Sequence, residues 1–197
     1  MALHDRILGH FQVSAQTTLD AADRLAPSIE QAARLLVHSF TQGGKVLVCG
    51  NGGSAADAQH FAAAMINRFE QERPGLAAIS LTTDTSTLTA ISNDSTYDQV
   101  FARQVKSLGQ PGDILLAIST SGNSPNVLHA VAAAHTRSMH VIALTGRSGG
   151  RLAESMHEDD VFLCVPAEST ARIQEVHLLT IHCLCDGVDS VLLGAEE

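Results

Sequence analysis

A doubly wound α/β fold on a parallel sheet is predicted by three features of this 197-residue chain. Five short apolar runs, KVLVCG (45–50), AAISL (77–81), DILLAIS (113–119), HVIALTG (140–146) and VFLCVPA (161–167), are continuous, as strands buried on both faces require. They alternate with stretches of helical period, the pattern of repeated βα units with helices on both sides. The composition is 45% hydrophobic but only 4% aromatic, with no Trp, which suits helices packed on a sheet through Ala, Val, Leu and Ile.

The chain opens with a helical arm over residues 3–25. Pro27 then breaks it, because proline in a helix interior removes a hydrogen bond and clashes with the preceding turn. SIEQAARLLVHSF (28–40) starts a second helix, with Ser28 and Gln31 at capping-box spacing and Ile29, Ala32, Ala33, Leu36 and Phe40 on one stripe. Gly43 and Gly44 end it. The first strand delivers CGNGGS (49–54), where Gly50, Gly52 and Gly53 free the backbone to turn N–H groups inward, and Ser54 with Asp57 reads as the capping box of the next helix. DILLAIS leads into ISTSGNSPN (118–126), with Ser124 at the N-cap and Pro125 at the first helical position. STARIQEVHLLTIHCLCDGVDSVLLG (169–194) forms one long final helix. No repeat or long linker divides the chain, so residues 1–197 form a single domain: an arm over 1–40, an α/β core over 45–167 and the final helix. Arms at both ends of a small α/β unit suit packing against another subunit.

The formal charge of −9 repels nucleic acid and anionic membrane, so neither is expected as a direct partner. MALHDRILGHFQVSAQ has no cationic stretch followed by an apolar run, and about 18 apolar residues never occur in succession; a cytoplasmic protein is expected. Cysteines stand at 49, 164, 183 and 185. Residues two apart on a helix do not face each other, so buried reduced thiols are expected, with neither a disulfide nor a thiolate metal clasp.

Ligands of open parallel sheets bind beyond the carboxyl ends of strands. Two loops fall there, and both are rich in small polar groups: Asn51, Gly52, Gly53 and Ser54 in the first, Ser119, Thr120, Ser121 and Ser124 in the second. Hydroxyls and free N–H groups can surround a phosphate without Lys or Arg. No Walker lysine is present, and GNGGSA is not GxGxxG, so a small phosphorylated metabolite fits better than a nucleoside triphosphate or dinucleotide.

CGNGGSAADAQHF, ISND, AISTSGNS, ALTGRSGG and ARIQEVHLLTIH together resemble the sugar-isomerase (SIS) domain of the phosphoheptose isomerase group, over nearly the whole chain. That group includes a branch, DiaA, that binds the replication initiator DnaA. The resemblance implies a flavodoxin-like five-stranded sheet, a homotetramer, and a ligand similar to sedoheptulose 7-phosphate held at subunit interfaces. It implies phosphosugar contacts at Asn51, Gly52, Gly53, Ser54, Asn93, Asp94, Ser119, Thr120, Ser121, Ser124 and Gln174.

The isomerases of the group carry zinc on a His, a Glu one turn later, a Gln and a second His; the matching positions are His60, Ala64, Gln174 and His182. Zinc is therefore expected, if at all, on His60, Gln174 and His182. Aldose–ketose isomerisation moves a proton between adjacent carbons and needs a positioned base, worth about 10²–10⁴ in rate. The Ala64 methyl cannot serve. The expectation is thus a phosphosugar-binding protein of the DiaA branch that binds DnaA and regulates replication initiation, with isomerase activity impaired or lost. The alternative is a phosphoheptose isomerase making D-glycero-D-manno-heptose 7-phosphate, with His182 as acid/base and another group replacing the Glu. His177 and His182 also suit packed helix positions. Gln174 and His182 lie eight residues apart, about 12 Å along a helix, so a site using both is expected to draw them from different subunits.

Overall fold

The structure, a computed structural model, describes residues 2–194. The elements run α1 (Leu3–Thr41), β1 (Val46–Gly50), α2 (Gly53–Ile66), β2 (Ala78–Ser80), α3 (Thr85–Asp94), a 3₁₀ turn (Tyr97–Gln99), α4 (Val100–Leu108), β3 (Ile114–Ser119), α5 (Pro125–Thr136), β4 (His140–Gly146), α6 (Gly150–Ser155), β5 (Val161–Val165) and α7 (Thr170–Leu193). All five apolar runs are strands. They pair in parallel in the order β2-β1-β3-β4-β5, which is the flavodoxin-like arrangement.

The sheet is sandwiched between two helical layers. On one face Val46, Val48, Ile114, Leu116, Ile118 and Leu144 meet Leu36 of α1, Phe61 and Met65 of α2, and Ile181, Leu184 and Val188 of α7. On the other, Leu47, Leu115, Ala117, Val141 and Ala143 meet Phe101 and Val105 of α4 and Val127, Ala130 and Val131 of α5. Phe61 and Leu36 are fully buried, and each such side chain contributes about 1.5–3 kcal/mol of hydrophobic stabilisation. α7 is apolar enough by length and mean hydropathy (1.4 over 18 residues) to cross a membrane, but Ile181, Leu184 and Val188 are buried in this core, and Ile173 and Val176 in a smaller cluster with Leu25 and Val165.

Three local expectations are corrected. The arm and the helix after it are one 39-residue helix with Pro27 inside it. Packing overrides the proline: Leu25 on one side of it is buried with Val165, Ile173 and Val176, and Ala32, Ala33 and Leu36 on the other side are buried in the main core. Ser28 is consequently mid-helix and caps nothing. The Ser54–Asp57 capping box is also absent: Gly52 is the N-cap of α2, with no side-chain cap, and Ser54 is turned into the interior at 3% exposure. All four cysteines are free, Cys49 and Cys185 being buried; Cys183, however, is exposed, because it lies on the flank of α7 away from the sheet.

Candidate active site

β1 and β3 are neighbours, with Gly50 in register with Ile118. Their two loops therefore emerge side by side where the strand order reverses, the place where this sheet type leaves a crevice. Three glycines are required there by geometry. Gly52 has φ +58°, and a Cβ on Gly53 would collide with the side-chain amide of Gln174, so the start of α2 is pressed against α7. In the second loop Gly122 has φ +65°, and a Cβ on it would collide with the Gly149 carbonyl of the loop after β4.

The loops are tied to each other. Asn51 Nδ2 donates to Asn126 Oδ1 at 2.9 Å, and Asn126 Nδ2 donates back to Asn51 Oδ1 at 2.8 Å. Asn126 is 3% exposed and its Oδ1 also accepts from the Val127 N–H. Sequence reasoning missed Asn126; its signal was a lone amide in the second position of an otherwise apolar helix start. Within the second loop, Ser119 Oγ and Ser124 Oγ are 2.9 Å apart, and Ser121 Oγ accepts from the Asn123 N–H at 3.2 Å. Ser124 precedes Pro125 at the N-cap as expected, but its hydroxyl faces Ser119 rather than capping α5. Thr120, Ser121 and Ser124 are half-buried, open enough to meet a ligand.

Asn93 and Asp94 close α3, are exposed, and bond to each other at 3.0 Å. They are not drawn into the hydrogen bonds that unite the two loops.

The remaining residues come from α2 and α7, which run side by side. Gln174 sits against Gly53 at the start of α2, and one helical stretch further His60 Nε2 and His182 Nε2 are 3.0 Å apart. A hydrogen bond between two Nε2 atoms holds one proton, so one ring donates and the other accepts. Phe69 backs His182, with ring centroids 5.5 Å apart. Beyond the pair, Ala64 presents a buried methyl. Arg73 then pins the end of α2: its guanidinium donates to the Ala64 carbonyl at 3.1 Å and the Met65 carbonyl at 2.9 Å, and is paired with Asp189 of α7.

Asp57 lies one turn before His60. Its Oδ2 is buried without a partner, and burial pushes its carboxyl above the usual range against the pull of His60. Relieved of the expected capping role, it is the carboxyl that this part of α2 retains. His177, by contrast, is structural: it is fully buried, its Nε2 donates to the Thr145 carbonyl at 2.9 Å, and burial lowers its pKa to about 4.

The donors at these positions fall short of a zinc site within one chain. Two donors about 2 Å from a tetrahedral ion lie about 3.3 Å apart, which suits His60 and His182. Gln174 of the same chain is about 12 Å up α7, and position 64 offers no oxygen. One chain thus provides two neutral donors and does not complete the site. A separate groove of about 500 Å³ runs between α1 and α7, lined by Leu25, Ile29, Val176, Leu179 and Val191. Glu30, Arg34 and Asp186 also border it, but neither the loop residues nor the imidazole pair do.

Comparison with known proteins agrees with this geometry. The SIS domain model matches residues 10–146. A protein of Thiobacillus denitrificans named phosphoheptose isomerase is 80% identical over 197 residues, covering all of both chains, and one of Azoarcus sp. with the same name is 64% identical over the same span. The structure of phosphoheptose isomerase GmhA from Neisseria gonorrhoeae superimposes with a TM-score of 0.92 at 53% identity, and that of a phosphoheptose isomerase from Francisella tularensis with 0.94 at 50%; each match covers 96% of this chain and 100% of the other.

These relatives overturn the expectation of a DiaA-like DnaA-binding regulator with impaired or absent isomerase activity. Proteins alike over their whole length are named as isomerases, and one absent carboxylate was too narrow a basis for setting the chain apart from them. With its matching domain, full-length relatives and superimposable structures, the chain belongs to the SIS-domain family, in its phosphoheptose isomerase group.

Proposed function

We propose that this protein is a phosphoheptose isomerase that converts sedoheptulose 7-phosphate to D-glycero-D-manno-heptose 7-phosphate. The observation that carries this reading is the 80% identity over the full chain to a protein of that name. The geometry supports it with two polar loops for a phosphate and a pair of imidazoles on adjacent helices. The phosphate binds to the loop of Asn51, Gly52, Gly53 and Ser54 and the loop of Ser119, Thr120, Ser121 and Ser124, where N–H groups at the start of α2 favour an anion. Gln174, Asn93 and Asp94 hold sugar hydroxyls.

The imidazole that lacks the shared proton accepts the hydrogen from the carbon beside the carbonyl, breaking the C–H bond and leaving an enediolate. The same proton, or one from solvent, is returned to the neighbouring carbon, and the hydroxyl proton passes to the former carbonyl oxygen. His182 is assigned the acid/base role, His60 the partner that orients it, and Asp57 the carboxyl that replaces the missing Glu as proton reservoir. No oxidant or second substrate is needed.

The active form is proposed as a homotetramer. Gln174 and His182 of one chain are too far apart to meet one reacting centre, so a second copy brings its own Gln174 to the His60–His182 pair. The apolar α1–α7 groove and exposed Leu3, Phe11 and Leu19 on the arm support such packing. A second copy's Gln174 would also give zinc the third donor that one chain lacks. A phosphorylated heptose does not cross membranes, so the enzyme works in the cytoplasm.

Protein purified from a host lacking its own isomerase, incubated with sedoheptulose 7-phosphate, is expected to yield the aldose. Turnover no greater than that of a His60→Ala/His182→Ala variant would refute the assignment.

A further inference from the structure

The amino ends of β4 and β5 lie at the opposite edge of the sheet from the two loops, about 20 Å away along β4. Here His135 in the last turn of α5 meets His157 and Asp160 from the segment between α6 and β5. One ring nitrogen of each histidine and a carboxylate oxygen of Asp160 all lie within 4.8 Å of one another. His135 Nε2 is 2.8 Å from Asp160 Oδ2, and the two imidazole rings stack with centroids 3.6 Å apart.

The carboxylate is held rigidly. Asp160 is 3% exposed in its side chain; its Oδ1 accepts from the Val141 N–H and its Oδ2 from the His157 N–H, each at 2.8 Å. Hydrogen bonds of this kind orient a metal-binding carboxylate. They also clasp the start of β4 to the turn before β5, a purely structural task that Asp160 and His135 would fulfil unaided. That task gives no reason for a second imidazole stacked on the first. The adjoining cavity of about 230 Å³ is bordered also by His140 and Asp159, and no Lys or Arg lines it. The nearby Arg137 guanidinium is turned away, donating to the Gly109 carbonyl.

We infer that His135, His157 and Asp160 form a second metal site, distinct from the isomerase centre, for a divalent ion of Zn²⁺ character. Two imidazoles and one carboxylate are the donor set that such borderline ions prefer over Mg²⁺ or Ca²⁺. Donors of a tetrahedral ion stand about 3.3 Å apart, between the 2.8 Å of the His135–Asp160 pair and the 4.8 Å limit of the cluster. The exposed His157 ring must turn off the stack and move its donor atom inward by up to about 1.5 Å to bring all three donors onto the ion. The fourth position goes to water or to Asp159. The bound ion straps the end of α5 to the entry of β5 and stabilises the native state by mass action.

Calorimetric titration of the full chain with ZnCl₂ tests this, using wild type, His157→Ala and the His60→Ala/His182→Ala double variant. The double variant is expected to keep one zinc per chain and its thermal upshift with zinc, while His157→Ala loses one equivalent, or binds it at least tenfold more weakly, with its isomerase rate unchanged. His157 is exposed, so its removal leaves folding intact; His157→Gln, which keeps size but is a poor ligand, should behave like the alanine variant. The inference fails if zinc stoichiometry and affinity are the same in His157→Ala as in wild type, or if the double variant binds no zinc. Neither result bears on the isomerase assignment, which is read from turnover alone.

Discussion

Ala64 sits on α2 one turn beyond His60, with its methyl buried. A methyl there removes one carboxylate, yet Asp57 on the same helix keeps a carboxyl whose Oδ2 is buried and unpaired. Ala64→Glu places an oxygen ligand one turn beyond His60, and is expected to raise kcat by about 10²-fold or more while lowering thermal stability, because position 64 is 8% exposed and must bury the charge. Steady-state kinetics and a melting curve check both parts; a lower kcat would mean that the site is built around the methyl. His177 makes a second residue-scale prediction. Its pKa is about 4 in the folded protein against 6.5 when exposed, so the unfolded chain takes up its proton first as pH falls. Stability is full above pH 6.5 and is lost progressively toward pH 4, by about 3 kcal/mol in all. Urea midpoints across that range should fall in wild type and stay flatter in His177→Gln; the same slope in both would assign the loss to other groups.

At the scale of elements, α2 and the segment after it are registered on α7 at three points: Gly53 on Gln174, His60 on His182, and Arg73 on Asp189. The last contact is buried at 1% and 3% side-chain exposure, so Asp189→Ala leaves a guanidinium uncompensated and is expected to cost about 3–5 kcal/mol, readable as a lower urea midpoint. Isomerase activity should decline with it, since the imidazole pair lies on the helix that loosens; a stable, fully active variant would deny Arg73 that positioning part. This contact was invisible in the sequence, where Arg73 sits in a polar stretch and Asp189 on an apolar helix more than a hundred residues later. The strands were legible because burial on both faces writes itself as unbroken Val, Ile and Leu. The two loops were legible for the same kind of reason, their glycines and hydroxyls following a strand directly. Helix caps were not: Ser54 and Asp57 have the spacing of a capping box, but glycine-led turns bring Gly52 to the cap and free both side chains. Pro27 failed as a boundary because packing on either side of it outweighs its local cost.

For the whole molecule, α1 is about 58 Å long, and its first half carries exposed Leu3, Ile7, Phe11 and Leu19 at 50–74% exposure. A lone subunit leaves that surface in water, which favours self-association. Phe11→Glu is expected to shift the particle toward smaller species in sedimentation and to reduce kcat with little change in subunit melting temperature; an unaltered assembly would place the contact elsewhere. The reciprocal Asn51–Asn126 bonds have a consequence of their own. They weld the two crevices into one jaw of fixed gape, whose distance to the imidazoles is set by the strands beneath and does not adapt to the guest. Such a jaw acts as a ruler: a five-carbon analogue is expected to seat its charged end but stop short of the two imidazoles, and so to inhibit turnover of the longer sugar without being transformed.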